Sequence, residues 1–526
     1  MAAMQDQSQP TAPLAVLFED AARPYGEDPL LGATADGRRY RGAFVIATRE
    51  GRVLGTMIAT ADDDGRVSAS EINAQLSALL AHEHKPPPSN GNAHDPKISV
   101  IICVTDGGLR ADRAIESILG GGYANAEVVV VNNRPQNGPL PLATAADPRV
   151  KLVDQPQAGL SAARNCGARA ASGEILLFTD DDVVAMPGLL AAAAGAFAEH
   201  PDASCVTGRI LPLRLDTETQ LQIERFAGFS KGFDQAVFEL AGNEDDHTFP
   251  YAAGQFGSGA HIALTRAAFD AMGGFDEALG TGTPARGGED TDLFIRLMLG
   301  GHKLVYEPSS AVLHDHPDQH EQLASTVFNY GVGTTAVAAK QLITGSNRLR
   351  LLRAIPAGLA IALSPSSAKN ARKGDAFPLP LTLRELLGMA LGPLMYLKSE
   401  RARRARSIEQ LSNDGKPFTP VFVCELELTQ GIAAIESPPL EDGSRFTQAD
   451  ALVRRAGTPL GIATLELIDG QLAAPEIDAA IKSQLGEVLA LEPARLPAAD
   501  DAQAQADRMN LLTHVRCPPD AGEPRR

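Results

Sequence analysis

The chain has 526 residues, a formal net charge of −18 and a pI near 5.1; that length predicts two or three domains, and the acidity excludes a general nucleic-acid partner, because phosphate backbones are gripped by basic surfaces. Five cysteines (Cys103, Cys166, Cys205, Cys424 and Cys517) are odd in number, scattered and without CxxC spacing, which suggests neither a disulfide framework nor a zinc site and fits a reducing cytoplasm. Met1–Pro13 lacks the basic-then-apolar pattern of a secretory signal, and no charge-free apolar run reaches the ~18 residues that span a bilayer, so a soluble or peripheral protein is expected.

In chain order, residues 1–13 read as disordered. A strand-like start at Leu14-Ala15-Val16-Leu17-Phe18-Glu19 opens a small α+β module, residues 14–83, closed by a helix from Ser70 to His82. The Pro/Asn/Gly-rich stretch 84–96 reads as a linker. From Lys97, apolar strands alternate with helical stretches: Ile98–Cys103, Ala111–Leu119, Glu127–Val131, Leu160–Ala171 and Glu174–Thr179. That alternation indicates an α/β domain with a mainly parallel sheet between helices, residues 97–345. Ligands of such sheets bind beyond the carboxyl ends of strands, where Asp106, Asn132 and Asp180 to Asp182 would converge.

Asp180-Asp181-Asp182 directly follows the apolar run Ile175-Leu176-Leu177-Phe178. Carboxylates this close raise one another's pKa unless a cation compensates, which points to Mg2+ or Mn2+ and a phosphate-bearing donor; a helix N-cap is the plainer alternative. Arg164, in Gly159-Leu160-Ser161-Ala162-Ala163-Arg164-Asn165, can grip phosphate through two N–H groups or form a surface salt bridge. In Phe256-Gly257-Ser258-Gly259-Ala260-His261 the glycines allow backbone to approach a ligand or simply make a tight turn. Glu289-Asp290-Thr291-Asp292 opens a helix, so the acids divide into a metal set and a general base or else cap that helix. His314-Asp315-His316 follows the strand Lys303–Tyr306, in a loop where histidine is a weak metal candidate.

Beyond this domain, a helical extension at 346–415 contains the apolar run Leu386–Leu397 and the basic run Arg401–Arg406. It reads either as a helix packed on the core with a solvated basic tail, or, over 386–406, as a peripheral contact with an anionic membrane. A second α+β module, residues 416–492, repeats the first: Ala43-Phe44-Val45, Gly51, Leu54-Gly55, Asp64-Gly65 and Glu71-Ile72 answer to Ala451-Leu452-Val453, Gly457, Leu460-Gly461, Asp469-Gly470 and Glu476-Ile477. Neither copy holds a cluster of catalytic residue types, so packing, or assembly into an oligomer, is their expected role. Residues 493–526 read as disordered.

The order of motifs resembles the family 2 glycosyltransferases of the GT-A fold: Cys103-Val104-Thr105-Asp106, Asn132-Asn133, Gly159-Leu160-Ser161-x-x-Arg164-Asn165-x-Gly167, Asp180-Asp181-Asp182, Gly257-Ser258-Gly259, Gly273-Gly274-Phe275-Asp276 and Gly288-Glu289-Asp290-x-Asp292. The resemblance implies the GT-A nucleotide-diphospho-sugar transferase fold and an inverting transfer from a nucleotide sugar, UDP-linked by default, to a glycan or lipid-linked acceptor in cell-surface glycan synthesis. It implies Asp180 and Asp182 as metal and diphosphate ligands with His314 as a further metal contact, Asp106, Asn132, Arg164, Asp181 and Gly259 at the donor, Asp290 as base and Glu289 beside it at the acceptor. Asn132 stands where the family usually has Asp, and Val104 where Thr or Ser is commoner. The Gln-x-x-Arg-Trp signature of processive members is absent, as is Trp altogether. A degenerate nucleotide-sugar-binding scaffold and a sugar-phosphate nucleotidyltransferase are the rival readings.

Overall fold

The computed structural model describes residues 11–49, 52–81, 95–105, 108–137, 140–243, 245–345, 347–364, 367, 370, 378–413, 421–439 and 445–489. They fall in two compact units, one ending at Arg403 and one beginning at Arg404. The expected disorder at 1–10 and 493–526, most of the linker and Asp106 lie outside the described residues.

In the first unit, β1 (Leu14–Asp20) runs parallel to β2 (Gly42–Arg49), which pairs antiparallel with β3 (Arg52–Thr60). Alternation gives this small sheet two apolar faces. One, with Ala43, Val45 and Met57, packs on Ile72 and Leu76 of α1 (Ala69–Ala81). The other, with Ile46 and Val53, packs on Met186, Leu211, Ala311 and Leu313 of the large domain, and Leu14 N–H donates to Leu215 O at 2.9 Å.

The large sheet has nine strands: β4 (Ile98–Val104), β5 (Ala126–Asn132), β6 (Val150–Asp154), β7 (Ile175–Thr179), β8 (Val183–Ala185), β9 (Ala203–Pro212), β10 (Ala236–Phe238), β11 (Ile262–Thr265) and β12 (Lys303–His314). Their order is β10-β12-β9-β11-β7-β4-β5-β6, with β8 on β12. β7, β4, β5 and β6 are parallel, and the apolar runs of β7, β4 and β5 are buried on both faces, while β6 is a largely exposed edge strand; β11 is antiparallel to both neighbours, so the sheet is mixed. Helices α2 (Leu109–Leu119), α3 (Leu160–Ala170), α4 (Leu189–Glu199), α5 (Glu218–Ala227), α6 (Arg266–Ala271) and α7 (Glu289–Leu299) accompany it. The strand expected at Lys303–Tyr306 continues to His314 after an irregularity between Glu307 and Ala311. His314 therefore closes a strand and is not in a loop.

Three further helices follow: α8 (His320–Thr344), α9 (Arg348–Leu363) and α10 (Leu379–Asn413). α8 and α10 touch backbone to backbone along small residues. A Cβ at Gly331 would sit 2.2 Å from Glu385 O, and one at Gly388 2.3 Å from Phe328 O. Among the described residues no helix is long and apolar enough to cross a membrane.

In the second unit, β13 (Val421–Glu427), β15 (Gln448–Arg455) and β16 (Thr458–Glu466) take the same path as β1, β2 and β3, parallel then antiparallel, with α11 (Ala474–Leu489) on one face; β14 (Ile435–Glu436) and β17 (Gln471–Leu472) form a short ribbon beside them. The irregularity between Ala47 and Thr48 has its counterpart between Val453 and Arg454. The structural partner of Ala47 is thus Val453, and the sequence match of Val45 with Val453 was displaced by two residues, a slip that keeps every side chain on its face. Gly55 lies where a Cβ would meet Leu79 at 2.6 Å, and Gly461 where one would meet Leu485 at 2.7 Å, the same device in each module.

Candidate active site

Two acidic clusters more than a hundred residues apart meet through one arginine. Arg164 is fully buried in α3, whose small residues let the helix lie against the sheet; a Cβ at Gly167 would stand 2.5 Å from Ile101 Cγ2. Its Nη1 donates to Glu289 Oε1 at 3.0 Å, and its Nη2 to Asp180 Oδ1 at 3.1 Å and to Gly259 O at 3.0 Å, with Phe275 beneath the guanidinium. The sequence reading put Arg164 on the donor phosphates; in the structure its fork is occupied by protein carboxylates, which makes it the brace between the clusters.

Helix α7 starts where it does because Gly288 has φ +87° and a Cβ there would lie 2.7 Å from Val337. Its first turn carries Glu289, Asp290 and Asp292 at the positive end of the helix dipole. The three acids have separate fates. Asp292, fully buried, accepts from Arg296, Lys340 and Gln341 and anchors α7 to α8. Glu289, also buried, faces Arg164; burial first and the neighbouring Asp290 second push its carboxyl up to about 7, against the pull of Arg164. Asp290 is half-buried, with Oδ2 accepting from Gly259 N at 2.8 Å and Oδ1 from Thr291 N at 2.6 Å. A side chain on Gly259 would crowd Arg164 at 3.0 Å and Asp290 at 3.4 Å, so this glycine lets both groups close on its backbone.

On the other side of Arg164, the pairing of β8 with β12 sets Val183 opposite His314 and brings Asp182 to the histidine. One ligand atom each from Asp180, Asp182 and His314 lie within 4.8 Å of one another. His314 Nε2 stands 3.2 Å from Asp182 Oδ1, an oxygen that is buried without a hydrogen-bond partner. Behind it, His314 Nδ1 is 3.1 Å from His316 Nδ1, and His316 Nε2 is 2.8 Å from Glu224 Oε2. With Glu224 ionised, His316 donates from Nε2 and accepts at Nδ1, so His314 donates from Nδ1 and turns its Nε2 lone pair towards Asp182. Two lone pairs that close require positive charge, either a proton on His314 or a bound cation. The set fits Mn2+ or Mg2+, with imidazole favouring the transition ion. Burial would raise the Asp182 carboxyl, but His314 more than reverses this and holds it low. Burial raises Asp180 despite Arg164, and burial with its two neighbours pushes Asp181 up to about 7.

Asn132 Oδ1 accepts from Arg134 N. Asn133, which sequence reasoning gave no role, accepts from Gly159 N and donates to Gln155 O and Gln157 O, fixing the loop that launches α3. Glu224 was also missed, and nothing local marks it. His316, two residues beyond the end of β12, had been singled out only together with His314.

Residues 99–257 match the family model described as Glycosyl transferase family 2. A pre-mycofactocin glycosyltransferase of Mycobacterium tuberculosis is 27% identical over 286 residues, 53% of this chain and 55% of that protein; the match thus spans about half of that relative's length. A glucosyl-dolichyl phosphate glucuronosyltransferase of Haloferax volcanii is 24% identical over 41% of this chain and 69% of its own. Among solved structures, the mannosyltransferase PcManGT of Pyrobaculum calidifontis, in complex with GDP-Man and Mn2+, overlaps 64% of this chain and 96% of that one at 18% identity, with a TM-score of 0.37, too low to carry weight.

Proposed function

This chain carries a family 2 glycosyltransferase domain of the GT-A fold, and from that premise we propose that it is a metal-dependent, inverting transferase moving a sugar from a nucleoside diphosphate to an acceptor hydroxyl in the synthesis of a cell-surface glycan. The observation that carries this reading is the Arg164 bridge, which joins the Asp180, Asp182 and His314 cluster to the half-buried carboxylate of Asp290 through Glu289 and Gly259. Asp290 is the base: two backbone N–H groups orient it, and it retains lone pairs for the acceptor proton. Glu289, buried and bound to Arg164, is a positioning residue in this reading, in place of the acceptor contact that the resemblance implied. Asp180, Asp182 and His314 would hold a divalent cation, which supplies charge neutralisation for a departing diphosphate. Preorganised charge of this kind commonly provides the largest catalytic contribution.

The test is a thermal-shift screen against UDP-, GDP-, dTDP- and CMP-sugars, each with Mn2+ and with chelator. One nucleotide class is expected to stabilise the protein only with Mn2+, and Asp182→Ala is expected to abolish that shift. No shift with any of them would overturn the donor assignment. A second expectation concerns Glu224: Glu224→Gln can donate to His316 and reverse the relay, placing a proton on His314 Nε2, so Mn2+ affinity should fall by about tenfold in direct titration.

A further inference from the structure

One large feature lies outside the site. Leu379, Leu383, Leu387, Leu394 and Leu397 of α10 are 48% to 68% exposed. Their spacing of four, four, seven and three places them on one stripe of the helix, roughly 27 Å long at ~1.5 Å per residue. The opposite face is the one pressed on α8, where Gly388 leaves no room for a Cβ and Tyr396 is buried. Among the described residues, the stripe is the exposed side of a helix whose other side packs on α8. Single exposed leucines carry no message, but a continuous row does.

The charge around it names the occupant. From Leu379 to Arg403, in a chain whose net charge is −18, Glu385 is buried and Glu400 is paired with Arg403. Arg384, Lys398 and Arg401 are exposed on α10 among the leucines. An apolar row edged by cations fits a surface that is apolar within and anionic at its rim. A second copy of this chain would bring the same cations against themselves in a two-fold contact. We propose that α10 lies in the plane of a phospholipid bilayer, its leucines in the acyl boundary and Arg384, Lys398 and Arg401 on anionic headgroups.

The test is flotation of the full-length protein with vesicles of phosphatidylcholine, with and without phosphatidylglycerol. Binding to the anionic vesicles should exceed binding to the neutral ones by about tenfold or more and fall with salt. The triple variant Leu383→Glu/Leu387→Glu/Leu394→Glu should lose it while keeping the circular dichroism of the wild type. Should that variant misfold, Arg384→Ser/Lys398→Ser/Arg401→Ser keeps the leucines and should still weaken binding by about tenfold. Absence of flotation with anionic vesicles, equal binding to both kinds, or binding untouched by the substitutions overturns the proposal. So does a dimer in solution that the glutamate variant dissolves, which would give the face to a second copy.

Discussion

Asp290→Asn is expected to lower sugar transfer by at least about a hundredfold with little change in fold or donor affinity. The amide has the shape of the carboxylate, and its oxygen can still accept from Gly259 N, while the bond from Thr291 N to the second oxygen is lost. What it loses is the capacity to take a proton. The deficit should appear in kcat, read as nucleoside diphosphate released with acceptor saturating, while the Mn2+-dependent thermal shift with donor persists. A fully active Asp290→Asn protein would remove Asp290 from the role of base.

Arg164→Met should be the most damaging single change to the fold of the site. It leaves Glu289 buried and Asp180 half-buried, 3.0 and 3.1 Å from a cation that is gone, and Gly259 O without its donor. Removing one member of a buried charge network typically costs about 3–5 kcal/mol. Arg164→Lys should recover only part of this, because one ammonium cannot reproduce the planar fork that reaches three oxygens at once. Denaturant midpoints of the three proteins, measured with and without Mn2+, check the order wild type, Lys, Met. Equal midpoints would show that the clusters hold together without the brace.

The alternation of apolar strands and helices from Ile98 to Thr179 was legible because parallel strands buried on both faces read as unbroken apolar runs. Asp180 and Asp182 stood out because acids at the end of such a run are costly to bury unless a cation or hydrogen-bond donors compensate. The position of His314 was not. Pro308-Ser309-Ser310 interrupts the apolar pattern where β12 shifts register against β9, so the strand seemed to stop at Tyr306. The neighbours that define the cation cluster, β8 on β12, are set by pairing across about 130 residues, and no local pattern encodes it. Arg164 misled for a related reason. An arginine in an Ala-rich helix looks exposed, yet small residues around it are what allow a helix to sink onto a sheet and bury all its sides. In α10 the helix was legible, but its two faces were not, since the glycines that pack and the leucines that do not are both apolar.

Leu313 and His314 are consecutive residues of β12, and a strand sends consecutive side chains to opposite faces. Leu313 lies in the contact with the N-terminal module, beside Ile46 and Val53, and His314 in the cation cluster. The packing of the N-terminal module and the acidic cluster therefore meet at neighbouring residues of one strand, on its two faces.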